Sequence, residues 1–136
     1  MLRIHVDATF KGCPKTFKQV LIVSAFDQTA QMLVPVYFIL MTCQTQDAYS
    51  LALFNVMADS GTLGNLDVAS TMHDYERAII NAVRDVLKPD HQDGCNFHWK
   101  QALHTNLQKK KFPDEFITEV LWMFNFMSIL PRDQLR

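Results

Sequence analysis

Cysteine is too sparse in this chain to build a disulfide framework. Cys13, Cys43 and Cys95 are an odd number at wide spacing, which reads as free thiols in a reducing compartment. Long apolar runs are also missing. The longest, Leu33 to Met41, is about half a membrane span and carries Pro35. At the start, Arg3, His5 and Asp7 interrupt the only apolar stretch, so no secretory signal is expected. Four glycines and five prolines are too few for a fibrous or linker-rich chain. Nor is there a cationic surplus. Thirteen Lys and Arg stand against fourteen Asp and Glu, a net charge of −1, which excludes a strongly basic nucleic-acid module. If DNA is the partner, much of the affinity must come from something other than bulk charge.

What is present is an ordinary globular composition. The chain has 136 residues, 49 % of them apolar and 20 % charged, enough for one domain or one large fragment of a domain. A chain of this size buries roughly two-thirds of its unfolded surface, so a core is available. The expected setting is intracellular.

Residue periodicity then orders the elements. Leu2, Ile4 and Val6 alternate with Arg3, His5 and Asp7, the period of a half-buried strand. A turn at Lys11-Gly12-Cys13-Pro14 precedes a second strand over Phe17 to Phe26, and Asp27-Gln28-Thr29 turns into a third over Val34 to Met41. That third strand is apolar on both faces, as a central, helix-covered strand would be. A helix is expected from Gln46, with Tyr49, Leu51, Leu53, Phe54, Val56 and Met57 compatible with its apolar face, ending before Ser60-Gly61. Asp67 to Met72 reads as a weak fourth strand. Tyr75 to Leu87 reads as a helix stopped by Pro89. Gly94 to Trp99 is expected to be a short fifth strand, with helices after it from Gln101 to Lys109 and from Pro113 through Phe126. Short connections make the first three strands antiparallel, and helical crossovers make the last two parallel. The fold class is therefore α/β, an RNase H-like mixed sheet followed by helices.

Two aspartates draw the chemistry. Asp7 closes the first strand and Asp74 follows the fourth. If those strands are neighbours, the two carboxylates converge and repel unless a cation lies between them, and hard Mg²⁺ or Mn²⁺ suits carboxylate oxygen. Two such ions can activate water and stabilise a leaving oxygen in phosphodiester cleavage. On spacing alone, a strand-end aspartate is more often a turn former or helix cap, and Asp74 would suit a helix beginning at Tyr75. Cys95 and His98 have metal-ligand spacing, but a closed zinc site needs four ligands and no second matching pair exists. The alternative is a buried Cys and a His that orients a strand-to-helix junction. Lys109-Lys110-Lys111 is the one basic run, and it reads as a solvated helix end before it reads as a DNA contact.

A resemblance adds to this. His5-Val6-Asp7-Ala8-Thr9-Phe10-Lys11-Gly12-Cys13-Pro14 is similar to the opening of the Mutator-like (MULE) transposase domain. The likeness continues at Phe17-Lys18-Gln19, Val34 to Phe38, Gln46-Asp47-Ala48-Tyr49 and His73-Asp74-Tyr75-Glu76-Arg77-Ala78. It then takes in Gly94 to Ala102, with its Cys-x-x-His element, and Leu130-Pro131. The resemblance implies an RNase H-like DDE transposase, cutting and joining DNA at transposon ends in the nucleus. Asp7 and Asp74 would be the first two catalytic, metal-binding acids. The family's third acid, a glutamate, falls well beyond the Leu-Pro landmark, so the chain is expected to be a C-terminally incomplete domain. Residues 1–99 would form its core and 100–136 a helical insert, with the rest of the domain as a partner and oligomers conceivable. Glu115 and Glu119 lie in the insert and lack the family context, and Glu76 reads as an outer-shell helper or a first-turn residue. A transposase-derived DNA-binding or regulatory protein without chemistry is the alternative, and a zinc-dependent interaction module around Cys95 and His98 a third.

Overall fold

The structure, a computed structural model, describes residues 2–61 and 67–127. The Leu130-Pro131 landmark lies outside these residues. The chain divides into two compact units, Met1–Cys95 and Asn96–Arg136.

The first unit is a five-stranded mixed sheet carrying two helices. Its elements are β1 (Leu2–Thr9), β2 (Gln19–Asp27), β3 (Met32–Met41), α1 (Gln46–Asp59), β4 (Val68–His73), α2 (Arg77–Val86) and β5 (His91–Gly94). The strand order is β3-β2-β1-β4-β5. β1 and β3 each pair antiparallel with β2, while β4 pairs parallel with both β1 and β5. Three antiparallel strands extended by two parallel ones agree with the RNase H-like arrangement expected from the element order.

One face of the sheet holds the core. Ile4, Val6, Leu21, Val23 and Val68 pack with Tyr49, Leu53 and Met57 of α1 and with Ile79, Ala82 and Val83 of α2. Alternation along each strand sends these side chains to the helices and their neighbours to the other face. Thr45 caps α1, its hydroxyl accepting from the Ala48 N–H at 3.3 Å. The helix stops where Gly61 takes a φ of +68°, the left-handed conformation that glycine adopts without a Cβ clash.

The third strand differs from expectation. β3 is the sheet's edge, not a central strand, and Val36, Phe38 and Leu40 are exposed on it. Apolar residues on both faces suggest two-sided burial, but among the described residues the face bearing Phe38 and Leu40 is left exposed. Pro35 is consistent with the edge. The β2–β3 register shifts between Val23 and Ser24, whose partners are Tyr37 and Pro35, so Val36 is the extra residue of a bulge. An edge strand beside a bulge is where a missing N–H does least harm.

The fifth strand also falls elsewhere. It is His91–Gly94, and the residues from Asn96 onward, expected to be extended as far as Trp99, are already helical. His-Gln-Asp-Gly is poor strand material by propensity. Pairing selects it nonetheless: His91, Gln92, Asp93 and Gly94 run beside Ser70, Thr71, Met72 and His73. The Cys95 N–H donates to the His73 carbonyl at 2.8 Å and so ends the ladder.

The second unit is a helical pair, α3 (Asn96–Lys109) and α4 (Asp114–Met127). Lys111, at φ +59°, turns the chain between them. Trp99 meets Phe124 edge to face at 5.0 Å, which fixes one helix against the other, and Phe112 stacks on Phe116 at the turn.

Candidate functional site

The parallel pairing of β1 with β4 runs up to Val6 beside His73. Asp7 and Asp74 are the next residue on each chain, so the structure brings them to neighbouring positions where the two strands part. Asp7 does not close its strand, as the sequence had suggested. β1 continues through Thr9, because β2 still pairs with it at Ala8–Leu21 and Thr9–Val20. The Asp7 position is the point where β1 leaves β4, not where β1 ends.

Both aspartates are part-buried and locally oriented in the same way. Asp7 Oδ1 accepts from the Ala8 N–H at 2.9 Å, and Asp74 Oδ1 from the Tyr75 N–H at 2.6 Å. Asp74 is not the cap of the helix after it. The N-cap of α2 is Glu76, and α2 begins only at Arg77. Asp74 thus belongs to the three-residue connection Asp74-Tyr75-Glu76, and its carboxylate is not used up in capping.

That connection is tightly held. His73, 3 % exposed, places its Nδ1 2.9 Å from the Asp74 carbonyl oxygen. A carbonyl only accepts, so Nδ1 carries the proton. Tyr75 lies over Gly94 so closely that a Cβ built on Gly94 would clash with the hydroxyl end of the Tyr75 ring. Glu76 Oε2 accepts from the Tyr49 hydroxyl at 3.0 Å. Tyr49 in turn accepts from Gln19 Nε2 at 2.6 Å, and Gln19 Oε1 accepts from Gln44 Nε2 at 2.9 Å. Tyr49 and Gln19 are fully buried. Burial, opposed by the Gln19 bond and reinforced by Glu76, pushes the Tyr49 hydroxyl up from 10.0 to about 12. None of this chain of side chains was legible as a network in the sequence. A Gln opening an apolar strand was the one signal, since a buried amide requires partners.

The other expected residues fall as follows. Cys95 is buried with its backbone in the sheet ladder, and His98 lies in the first turn of α3. Glu115 and Glu119 are exposed on α4. Among the described residues no group of three or more His, Cys, Asp and Glu is placed to hold a metal ion. The donor set at the candidate site is the Asp7 and Asp74 pair. Two carboxylates suit a hard cation, because Mg²⁺ keeps several waters and needs only one or two protein oxygens. A half-open cavity of about 320 Å³, lined by Leu2, Ile4, Val23, Leu53, Val56 and Leu87, lies toward the other end of β1 and is mostly apolar. A larger groove of about 670 Å³ touches Arg3 and His5 of β1 and Ser70 and Met72 of β4, and reaches His91 and Asp93. By alternation, His5 shares a face of β1 with Asp7. Among the described residues no helix is long and apolar enough to cross a membrane.

A five-stranded sheet of three antiparallel strands extended by two parallel ones is consistent with the RNase H-like class of folds. The family model of the MULE transposase domain matches residues 3–102, and the chain belongs to that family. A search of curated proteins finds no match to it.

Proposed function

We propose that this chain carries part of the catalytic centre of a DNA transposase, with Asp7 and Asp74 together holding Mg²⁺ or Mn²⁺ for cleavage and joining at transposon ends in the nucleus. The observation that carries the reading is the register: Val6 pairs with His73, so the two acids follow one another across adjacent parallel strands. Strands in such a pair lie about 4.8 Å apart, a separation at which two carboxylates can share one ion. The cation would supply neutralising charge and polarise phosphodiester oxygens. The protein's own contribution is positional. The Ala8 and Tyr75 N–H groups each hold one carboxylate oxygen, and His73 holds the backbone at Asp74. Arg3, His5 and His91 around the groove on the Asp7 face offer donors for a phosphate backbone.

The alternative is a transposase-derived protein that binds DNA without cutting it. Manganese titration followed by electron paramagnetic resonance tests the shared reading. The unaltered chain binds one ion, and Asp7→Ala or Asp74→Ala weakens binding by more than about tenfold, the scale on which even outer partners of a metal act. Equal affinity in all three chains would sink the metal site. Nicking of supercoiled DNA that both substitutions abolish would then favour the enzyme.

A further inference from the structure

The series from exposed Gln44 through buried Gln19 and Tyr49 to part-buried Glu76 has a direction. Gln44 donates to Gln19, Gln19 donates to Tyr49, and Tyr49 donates to the Glu76 carboxylate. A hydroxyl has one proton, so the Tyr49 proton is committed to Glu76 once Gln19 donates to its oxygen. The second Gln19 amide proton faces Met41 Sδ at 3.7 Å. Each member therefore has its partners, and the series ends on a charged acceptor, where hydrogen bonds are strongest.

The endpoint is informative. Glu76 is the N-cap of α2, yet its side chain makes no bond to its own helix. Ser, Thr, Asp and Asn are the residues that cap well, so neither the residue type nor its geometry is chosen for capping. Its carboxylate is instead turned to a tyrosine that is 0 % exposed. The series crosses four separate parts of the fold: the segment before α1, the first residue of β2, α1 itself, and the connection between β4 and α2. That connection is three residues long and carries Asp74 at its other end.

We infer that Gln19, Tyr49 and Glu76 are positioning residues for Asp74. They lock the β4–α2 connection so that the Asp74 carboxylate is presented beside Asp7. The inference rests on the metal-site reading above and extends it to residues that do not touch the ion. Glu76 acts here as a hydrogen-bond acceptor for Tyr49, not as a charge near the cation.

Two substitutions separate those roles. Tyr49→Phe removes the proton that holds Glu76 and keeps the ring in the core. Glu76→Gln keeps an acceptor oxygen for Tyr49 and removes the charge. Positioning predicts that Tyr49→Phe lowers manganese affinity about tenfold or more, as loss of an outer partner does. It also predicts faster amide hydrogen exchange confined to Tyr75–Arg77. Glu76→Gln should hold affinity within about threefold, well short of that loss, with exchange unchanged. The reverse pattern, a loss in Glu76→Gln and none in Tyr49→Phe, would overturn positioning in favour of an electrostatic role. Unchanged exchange at Tyr75–Arg77 in Tyr49→Phe would overturn the lock itself. Should Tyr49→Phe fold poorly, Glu76→Ala breaks the same bond and, set beside Glu76→Gln, carries the same expectations. A wild-type chain that binds no manganese overturns the metal-site reading and the functional part of this inference. The exchange data alone then report on the lock.

Discussion

Tyr49 is where sequence, packing and function meet in a single side chain. Its ring fills the core between α1 and the sheet, while its hydroxyl bonds Glu76 at the edge of the candidate site. Its raised pKa makes a pH prediction of definite sign. The folded chain favours the protonated phenol, from an ordinary 10.0 to about 12, so the stabilisation is whole below pH 10 and is lost as pH rises through about 12. Ultraviolet titration should show a tyrosinate component in that window that Tyr49→Phe removes. A Tyr49 signal complete by pH 10 would mean that the hydroxyl is neither buried nor committed to Glu76. Asp7 and Asp74 lie at the same scale, yet the sequence exposed them more readily than it exposed Tyr49. An aspartate beside an alternating apolar run stands out by type. A tyrosine on a helix face looks like any other apolar packing residue until the structure shows what its hydroxyl touches.

At the scale of elements, Gly94 ties β5 to the β4–α2 connection. Its missing Cβ leaves room for the Tyr75 ring, and Tyr75 follows Asp74 directly. Gly94→Ala should therefore push the ring aside rather than unfold the sheet. A cost of about 1 kcal/mol is expected, at the low end for overpacking because the far end of a half-exposed side chain can move. The penalty should largely disappear in a Tyr75→Ala background, since residues in contact are not additive. An equal cost in both backgrounds, measured by chemical denaturation, would place the strain elsewhere. Most elements were legible from sequence because periodicity reports burial. α1 over Gln46–Asp59 was read almost to its ends, and Ser60-Gly61 marks where it stops. β5 was not legible. Its four residues owe their extended form to pairing with Ser70–His73, a contact that no local propensity encodes. The core helix α2 starts later than its apolar spacing suggested, because Asp74, Tyr75 and Glu76 are held by tertiary bonds instead of helical ones.

At the scale of the whole molecule, the sheet's two faces have unlike surroundings. The face bearing Val6 and Leu21 is packed by α1 and α2, whereas Phe38, Leu40 and Met72 are exposed. Phe38 is 66 % exposed on an edge strand, where unpaired backbone groups and apolar surface invite association. The chain should bind a hydrophobic dye and associate as its concentration rises, and Phe38→Lys should reduce both. A monodisperse monomer without dye binding at high concentration would contradict this. The same architecture carries the central claim, because Asp7 and Asp74 are far apart in sequence and only the β1–β4 pairing brings them together. Crystals grown with manganese test that claim most directly through anomalous scattering. The account predicts a peak between the two aspartates, with an oxygen of each within metal-bonding range, about 2.0–2.1 Å for magnesium and slightly longer for manganese. A peak bound by one aspartate alone, or ordered metal elsewhere with none at this pair, would contradict it.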